Sequence, residues 1–191
     1  MIWQNRGNDP LVGSIALLEG VIWLKKVCFY LTTRGNYAKT KSIIDHLRDN
    51  PAIQLQYIIG GGCPEMEFYG PIRHITIIKD GSYSGTFKSA GLISVEMGVI
   101  LQELMPDILV IVADRFECLP AAMITHYMGI PIAHIEGGEH SASIDDNIRD
   151  AVTALATLHF PCTQAAAHRI KFALMKEDSE IWCAAIMKLW I

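Results

Sequence analysis

The 191-residue sequence has no run of Lys or Arg, no C-x-x-C pair, no H-x-x-x-H or H-E-x-x-H pair, and neither a G-x-G-x-x-G nor a G-x-x-x-x-G-K-[ST] fingerprint. Each absence excludes a class. Without basic clusters and at a net charge of −4, the chain cannot neutralise a phosphate backbone or an anionic bilayer, so neither nucleic acid nor membrane is an expected partner. Cys28, Cys63, Cys118, Cys162 and Cys183 are odd in number and scattered. They predict neither a disulfide framework nor a zinc site, and place the chain in a reducing, cytoplasmic setting. The missing histidine pairs and glycine fingerprints leave no sign of a metal, a Rossmann dinucleotide site or a P-loop. Long apolar runs are scarce too. "LVGSIALLEGVIWL" (11–24) contains Glu19, is shorter than the roughly 18–20 residues that cross a bilayer, and lacks the basic flank and cleavage site of a signal peptide. Residues 1–24 are therefore expected to form a packed extra helix or an extension outside the fold.

What is present is a chain 51% hydrophobic, long enough to bury one core. There is no low-complexity linker and no internal repeat. From Lys25 the pattern alternates. "KKVCFYLT" reads as a β-rich strand ending in the polar turn "TRGNY", and "AKTKSIIDHLRDN" as a helix with Ile43, Ile44 and Leu47 on one face, ended by Pro51. "IQLQYIIGGG" reads as a second strand stopped by three glycines, "IRHITII" as a further strand and "DGSYSGT" as a loop. Ile93, Met97, Ile100 and Leu104 recur at i, i+4, i+7 and i+11, the stripe of an amphipathic helix ending at Pro106. "DILVIVAD" is an uninterrupted apolar strand of the kind buried on both faces of a parallel sheet. Helix 117–128, strand 131–135, helix 146–156, strand 158–162 and helix 164–175 continue the alternation. Such a succession predicts an α/β fold, a Rossmann-like doubly wound parallel sheet, whose ligands bind beyond the carboxyl ends of the strands.

Three strand ends carry unusual polar residues: "TTRGNY", "ADRFE" and "HIEGGE". Any one of them could be a helix cap or a surface ion pair. All three should open on one sheet edge, which makes that edge a cleft holding Arg34, Asp114, Arg115, His134 and Glu136, with Asp145 and Arg149 delivered from the next helix. The stretch 134–150, "HIEGGEHSASIDDNIRD", places five acids between Glu136 and Asp150 beside the bare backbone of Gly137 and Gly138. Asp145 and Arg149 are spaced i, i+4 and share a helix face. Ser143 and Asp146 could cap the helix, and a helix N-terminus beside a Gly-Gly turn suits an anion such as a diphosphate. The other histidines, His46, His74, His126, His140, His159 and His168, read as solvated or hydrogen-bonded side chains. Trp23, Trp182 and Trp190 should pack or protrude near the termini.

At "ADRFE", "IPIAHIEGGE" and "SIDDNIR", with "TTRGNYAKTKSI", "MPDILVIV" and "TLHFPCTQAAAHRI", the sequence from about Lys25 to Glu177 resembles the hydrolysing UDP-N-acetylglucosamine 2-epimerases, including those of sialic and legionaminic acid synthesis. The resemblance implies the N-terminal half of a two-domain GT-B type fold, with residues 25–177 as its first domain, 178–191 as a divergent tail and the second domain absent. It implies elimination of UDP from UDP-N-acetylglucosamine and hydration of the resulting glycal to N-acetylmannosamine, with no metal or redox cofactor. Asp114, Glu136 and Asp145 would be the catalytic carboxylates. Arg34, Arg115, His134, Gly137, Gly138 and Arg149 would bind the substrate, Arg149 orienting Asp145. Family members carry His and Lys where this chain has Asp150 and Ala154, which should weaken anion binding, and the region 61–87 is shorter here. A homo-oligomer or a separate C-terminal half would have to supply the other cleft wall. A binding module without turnover, a truncated remnant and a GT-B glycosyltransferase are the alternatives.

Overall fold

The computed structural model describes residues 24–63, 68–173 and 180–181. The expectations for residues 1–23, including Trp23, and for Trp182 and Trp190 lie outside the described residues.

Seven parallel strands, β1 (Lys25–Thr33), β2 (Ile53–Gly62), β3 (Ile72–Ile75), β4 (Ile108–Val112), β5 (Ile132–Ile135), β6 (Leu158–Phe160) and β7 (Glu180–Ile181), form one sheet in the order β3-β2-β1-β4-β5-β6-β7. The helices are α1 (Arg34–Arg48), α2 (Tyr83–Leu104), α3 (Cys118–Tyr127), α4 (Asp145–Leu155) and α5 (Gln164–His168), the last followed by a π-helical turn, Arg169–Ala173. Parallel neighbours joined through helices give the doubly wound α/β sheet expected from the alternation. Its order reverses between β1 and β4. At that reversal the flanking connections leave in opposite directions and open a crevice at the carboxyl ends.

Alternation along β1 assigns each face of the sheet. Cys28 and Tyr30 join Ile58, Leu109 and Ile111 under α2, α3 and α4, where Ile93, Met97, Leu101, Ala121 and Val152 close one core. Phe29 and Leu31 join Leu55, Tyr57 and Val110 under Ile44 of α1. Both faces are covered, which is why β4 reads as a continuous apolar run. The stripe Ile93, Met97, Ile100 and Leu104 is buried as its spacing predicts. α2 ends on Met105 in the left-handed region (φ 46°), immediately before Pro106. Cys28, Cys63 and Cys118 are free thiols, and burial pushes the Cys118 thiol up to about 12. No helix among the described residues is long and apolar enough to cross a membrane.

Several boundaries differ from the sequence reading, each for a local reason. "TRGNY" is the first turn of α1 rather than a separate turn. Thr33 Oγ1 accepts from the Asn36 N–H at 3.2 Å, and Asn36 Oδ1 accepts from the Thr33 N–H at 3.0 Å, so reciprocal capping starts the helix at Arg34. The three glycines do not stop β2; they are its last residues. A Cβ at Gly62 would lie 2.5 Å from the Thr32 carbonyl oxygen, and one at Gly60 would lie 2.6 Å from Ile77 Cδ1. Half of "DGSYSGT" is helical, because the Ser82 hydroxyl accepts from the Gly85 N–H and starts α2 at Tyr83. The last helix is shorter than 164–175, passing into the π-helical turn at Arg169.

Candidate functional site

β1, β4 and β5 are neighbours, so their carboxyl ends place Arg34, Asp114 and Glu136 along one edge beside the reversal. Asn36 Nδ2 donates to the Val112 carbonyl at 3.5 Å, tying the start of α1 to the end of β4 across the crevice. The chain leaves β4 and β5 through two non-glycine residues at positive φ, Ala113 (66°) and Glu136 (64°). Side chains rarely adopt this conformation, and it recurs where a fold holds a functional group in place. Each kink turns the chain at the strand end that carries an acid: Asp114 follows Ala113, and Glu136 is itself the kinked residue.

His134 holds these kinks from inside. It has no exposed surface; Nε2 lies 2.9 Å from the Ala113 carbonyl oxygen and Nδ1 lies 3.0 Å from Thr153 Oγ1 on α4. A carbonyl can only accept, so Nε2 carries the proton. Burial pushes the imidazole down to about 4, leaving it neutral at physiological pH. His134 therefore does not line the cleft, as its position beside Glu136 led us to expect. It braces β4, β5 and α4 together.

The glycine pair is likewise turned inward. Both residues are buried. A Cβ on Gly137 would come within 2.8 Å of His134 Nδ1 and 3.0 Å of Thr153 Oγ1, and one on Gly138, at φ 75°, within 2.6 Å of the Ala166 carbonyl oxygen. The space left by the missing side chains is taken up by the domain's own groups. The bare backbone lets the loop ride over His134, whereas the sequence reading gave it to a diphosphate.

The five acids between Glu136 and Asp150 separate by partner. Glu136 pairs with Lys39 of α1 at 2.6 Å. Glu139 accepts from the Cys162 and Thr163 N–H groups at 3.0 and 3.1 Å, at the entry to α5. Asp146 accepts from the Ser141 N–H, the Ser141 hydroxyl, the Ala142 N–H and Arg149, with His140 Nδ1 at 2.6 Å. The Ser141 backbone and hydroxyl are the largest causes holding its carboxyl down at about 2. Asp150 is gripped by both terminal nitrogens of Arg169 at 2.5 Å. The charge of Asp150 is thus offset by Arg169, while the His and Lys that the resemblance led us to expect at 150 and 154 remain replaced by Asp150 and Ala154. Asp145 is half-buried, and its carboxylate has no hydrogen bond or ion pair among the described residues.

Arg149 is the hub. Its buried guanidinium donates to Asp114 Oδ2, to Asp146 Oδ1 at 2.7 Å and to the Glu139 carbonyl at 2.8 Å, while its Nε is buried without a partner. It does not pair with Asp145, the partner that the i, i+4 spacing and the family motif suggested. Its three contacts all lie elsewhere and turn the guanidinium toward β4. Arg115 is also committed, its exposed guanidinium folding back onto the buried carboxylate of Glu117 at 3.2 Å to each oxygen. Arg34 is exposed and has no partner among the described residues.

The structure thus brings Asp114, Glu136, Arg149 and the following loop together and leaves Arg34 and Asp145 uncommitted. It adds Lys39 and Asp146, which the sequence reading did not assign to the site. Lys39 is 97 positions from its partner Glu136, so no local spacing could have announced it. Asp146 was legible only as a cap. Among the described residues no three His, Cys, Asp or Glu side chains are grouped as a metal would require.

A parallel sheet with this strand order, and with acids, an arginine hub and an uncommitted arginine at its switch point, defines a domain of the Rossmann-like, doubly wound α/β class. Comparison with known proteins narrows it. The UDP-N-acetylglucosamine 2-epimerase family description matches residues 67–182, more than half of the chain, and the chain belongs to that family. It is 23% identical over 168 residues to the Legionella pneumophila UDP-N,N'-diacetylbacillosamine 2-epimerase (hydrolyzing), covering 82% of this chain and 45% of that protein. It is 28% identical over 159 residues to the Neisseria meningitidis UDP-N-acetylglucosamine 2-epimerase, covering 77% and 41%. The crystal structure of the UDP-GlcNAc 2-epimerase from Neisseria meningitidis bound to UDP-GlcNAc superimposes with a TM-score of 0.71 at 20% identity, covering 82% of this chain and 46% of that one. The chain spans less than half the length of these relatives, and its sheet corresponds to the N-terminal half of the GT-B type fold.

Proposed function

We propose that this chain is the carboxylate-bearing half of a hydrolysing UDP-N-acetylglucosamine 2-epimerase, acting on UDP-N-acetylglucosamine or a related UDP-sugar together with a second cleft wall. One observation carries the reading: Asp114, Glu136 and the loop to Asp145 meet at the switch-point edge, while the two uncommitted groups, Arg34 and Asp145, come from elements that border it. The named relatives, and the UDP-GlcNAc bound in the Neisseria structure, supply the substrate class.

The chemistry fits acids of this kind. The C2 proton of the sugar has no adjacent carbonyl to acidify it. The C1–O bond must therefore break ahead of proton removal, its electron pair leaving with UDP through a cation-like state that carboxylates stabilise. One carboxylate takes the C2 proton as the C1=C2 bond forms. Water then adds through oxygen at C1, and a proton returns to the opposite face of C2, giving N-acetylmannosamine. Asp114, fixed by Arg149, and Glu136, fixed by Lys39, are acids of set position. Asp145 is free to meet the substrate, and Arg34 to meet the diphosphate.

A second reading, a nucleotide-sugar-binding module without turnover, is favoured by Asp114 and Glu136 both being held in ion pairs within the domain. Thermal unfolding of the full chain with and without UDP and UDP-N-acetylglucosamine, followed by a UDP-release assay, separates the two. Release that Asp145→Asn abolishes without lowering the melting point supports the enzyme. A ligand-raised midpoint without release supports the module. No shift and no release at millimolar ligand rejects both.

A further inference from the structure

The carboxyl edge holds a third non-glycine residue at positive φ. Ala113 and Glu136 turn acids into the site; Ala142, at φ 59°, lies in the loop between β5 and α4. The other such residue in the described chain, Met105, caps α2. Backbone of this kind persists only where its surroundings over-determine it. Here the buried Asp146 carboxylate does so, accepting from the Ser141 N–H at 3.0 Å, the Ser141 hydroxyl at 2.7 Å and the Ala142 N–H at 2.9 Å. What the kinked loop sets against that carboxylate is His140, whose Nδ1 lies 2.6 Å from Asp146 Oδ2.

The pair has a direction. Asp146, held down at about 2, is ionised and can only accept, and two facing lone pairs would repel at 2.6 Å, so Nδ1 carries the proton. A neutral ring protonated at Nδ1 has its basic lone pair at Nε2, on the far side. The His140 side chain is 68% exposed, and Nε2 has no partner among the described residues. A carboxylate that fixes the tautomer of an imidazole and then stabilises the imidazolium makes a general base. The other oxygen of Asp146 takes Arg149, whose second terminal nitrogen takes Asp114. One guanidinium therefore links the His140–Asp146 dyad to a candidate catalytic acid, and the uncommitted Asp145 is the residue next to Asp146.

We propose that His140 is the base for the water that adds at C1, a catalytic role in the hydration step that rests on the epimerase reading above. The water oxygen bonds to C1, one water proton passes to Nε2, and the C1=C2 electron pair takes a proton from a carboxylic acid onto C2. The imidazolium so formed stands against the Asp146 carboxylate. Inversion at C2 occupies two acids, one that takes the first proton and one that returns the second from the opposite face, so the water needs an acceptor of its own. Glu139 and Asp150 do not offer one, being bound at the entry to α5 and by Arg169.

The test follows UDP, the glycal and N-acetylmannosamine together, with the full chain and UDP-N-acetylglucosamine, for the wild type and His140→Ala. The variant should still release UDP but form N-acetylmannosamine about a hundredfold or more slowly, so that glycal accumulates at an unchanged melting point. Added imidazole should restore hydration, which it could not do for a group that only braces the loop. A variant that makes N-acetylmannosamine at the wild-type rate, that loses UDP release equally, or that imidazole fails to rescue overturns the proposal and leaves the epimerase reading standing. A wild type that releases no UDP removes both. Independently of turnover, nitrogen NMR of the neutral ring should find Nδ1 protonated and Nε2 bare, the reverse of the tautomer that imidazoles favour in water. A proton on Nε2 of the neutral ring would overturn the assignment.

Discussion

Replacing Arg149 by methionine removes the group that holds the candidate site together. The side chain is 6% exposed and donates to Asp114, Asp146 and the Glu139 carbonyl. Breaking a buried ion pair from one side costs about 3–5 kcal/mol, because the partner charges remain. Two features pull the figure down here. Asp146 keeps its Ser141 and Ala142 donors, and the Nε–H, already buried without a partner, ceases to be a penalty. A loss of about 3 kcal/mol is expected, a large share of a domain's 5–15 kcal/mol, read as a lower urea midpoint at unchanged m-value. Arg149→Lys should recover less than half of it, since one ammonium cannot reach three acceptors spread over β4, the loop and α4. In a cycle with Asp114→Asn the two substitutions should couple by more than about 1 kcal/mol. A loss under about 1 kcal/mol, or simple additivity, would show that the network is surface decoration.

His134 is neutral and depressed to about 4 in the folded chain against about 6.5 unfolded, so the unfolded state binds the extra proton between these values. Its contribution, about 3 kcal/mol, should be fully present above pH 6.5 and fade as pH falls to 4; urea midpoints of wild type and His134→Gln across that window should lose the slope in the variant. Asp146, held at about 2, should add a further decline below pH 3.8 that Asp146→Asn removes. Gly138→Ala meets both a φ of 75° and the Ala166 carbonyl, so it should cost about 2 kcal/mol or more, whereas Gly91→Ala, where a Cβ meets nothing within 4 Å, should be neutral or stabilising. Asp145→Asn should leave the urea midpoint within about 0.5 kcal/mol of wild type. A marked destabilisation would mean that this carboxylate has a structural partner.

Much of the fold was legible because it rests on local rules. The stripe from Ile93 to Leu104 and the apolar run of β4 announce their burial by period, and alternation of the two patterns is enough to call for a parallel sheet. The boundaries that moved lie where a side chain competes with the backbone, as Thr33 with Asn36 and Ser82 with Gly85 do, or where glycine serves close approach instead of a turn, as at Gly60 and Gly62. The gathering of Asp114, Glu136, Asp145 and Arg149 toward one sheet edge was legible, but the wiring of these side chains was not. His134 and the glycine pair look like surface groups when read beside Glu136, and only burial shows them to be internal supports.

The sequence by itself determined the doubly wound sheet, the edge on which its polar residues gather and the family to which the motifs belong, because periodicity and strand-end chemistry act over a few neighbouring residues. Tertiary structure alone decided that Arg149 serves Asp114 rather than Asp145, that Lys39 meets Glu136, and that Arg169 cancels Asp150. Those outcomes depend on which elements lie side by side in space, across as many as 97 positions of chain, and no spacing rule reaches that far.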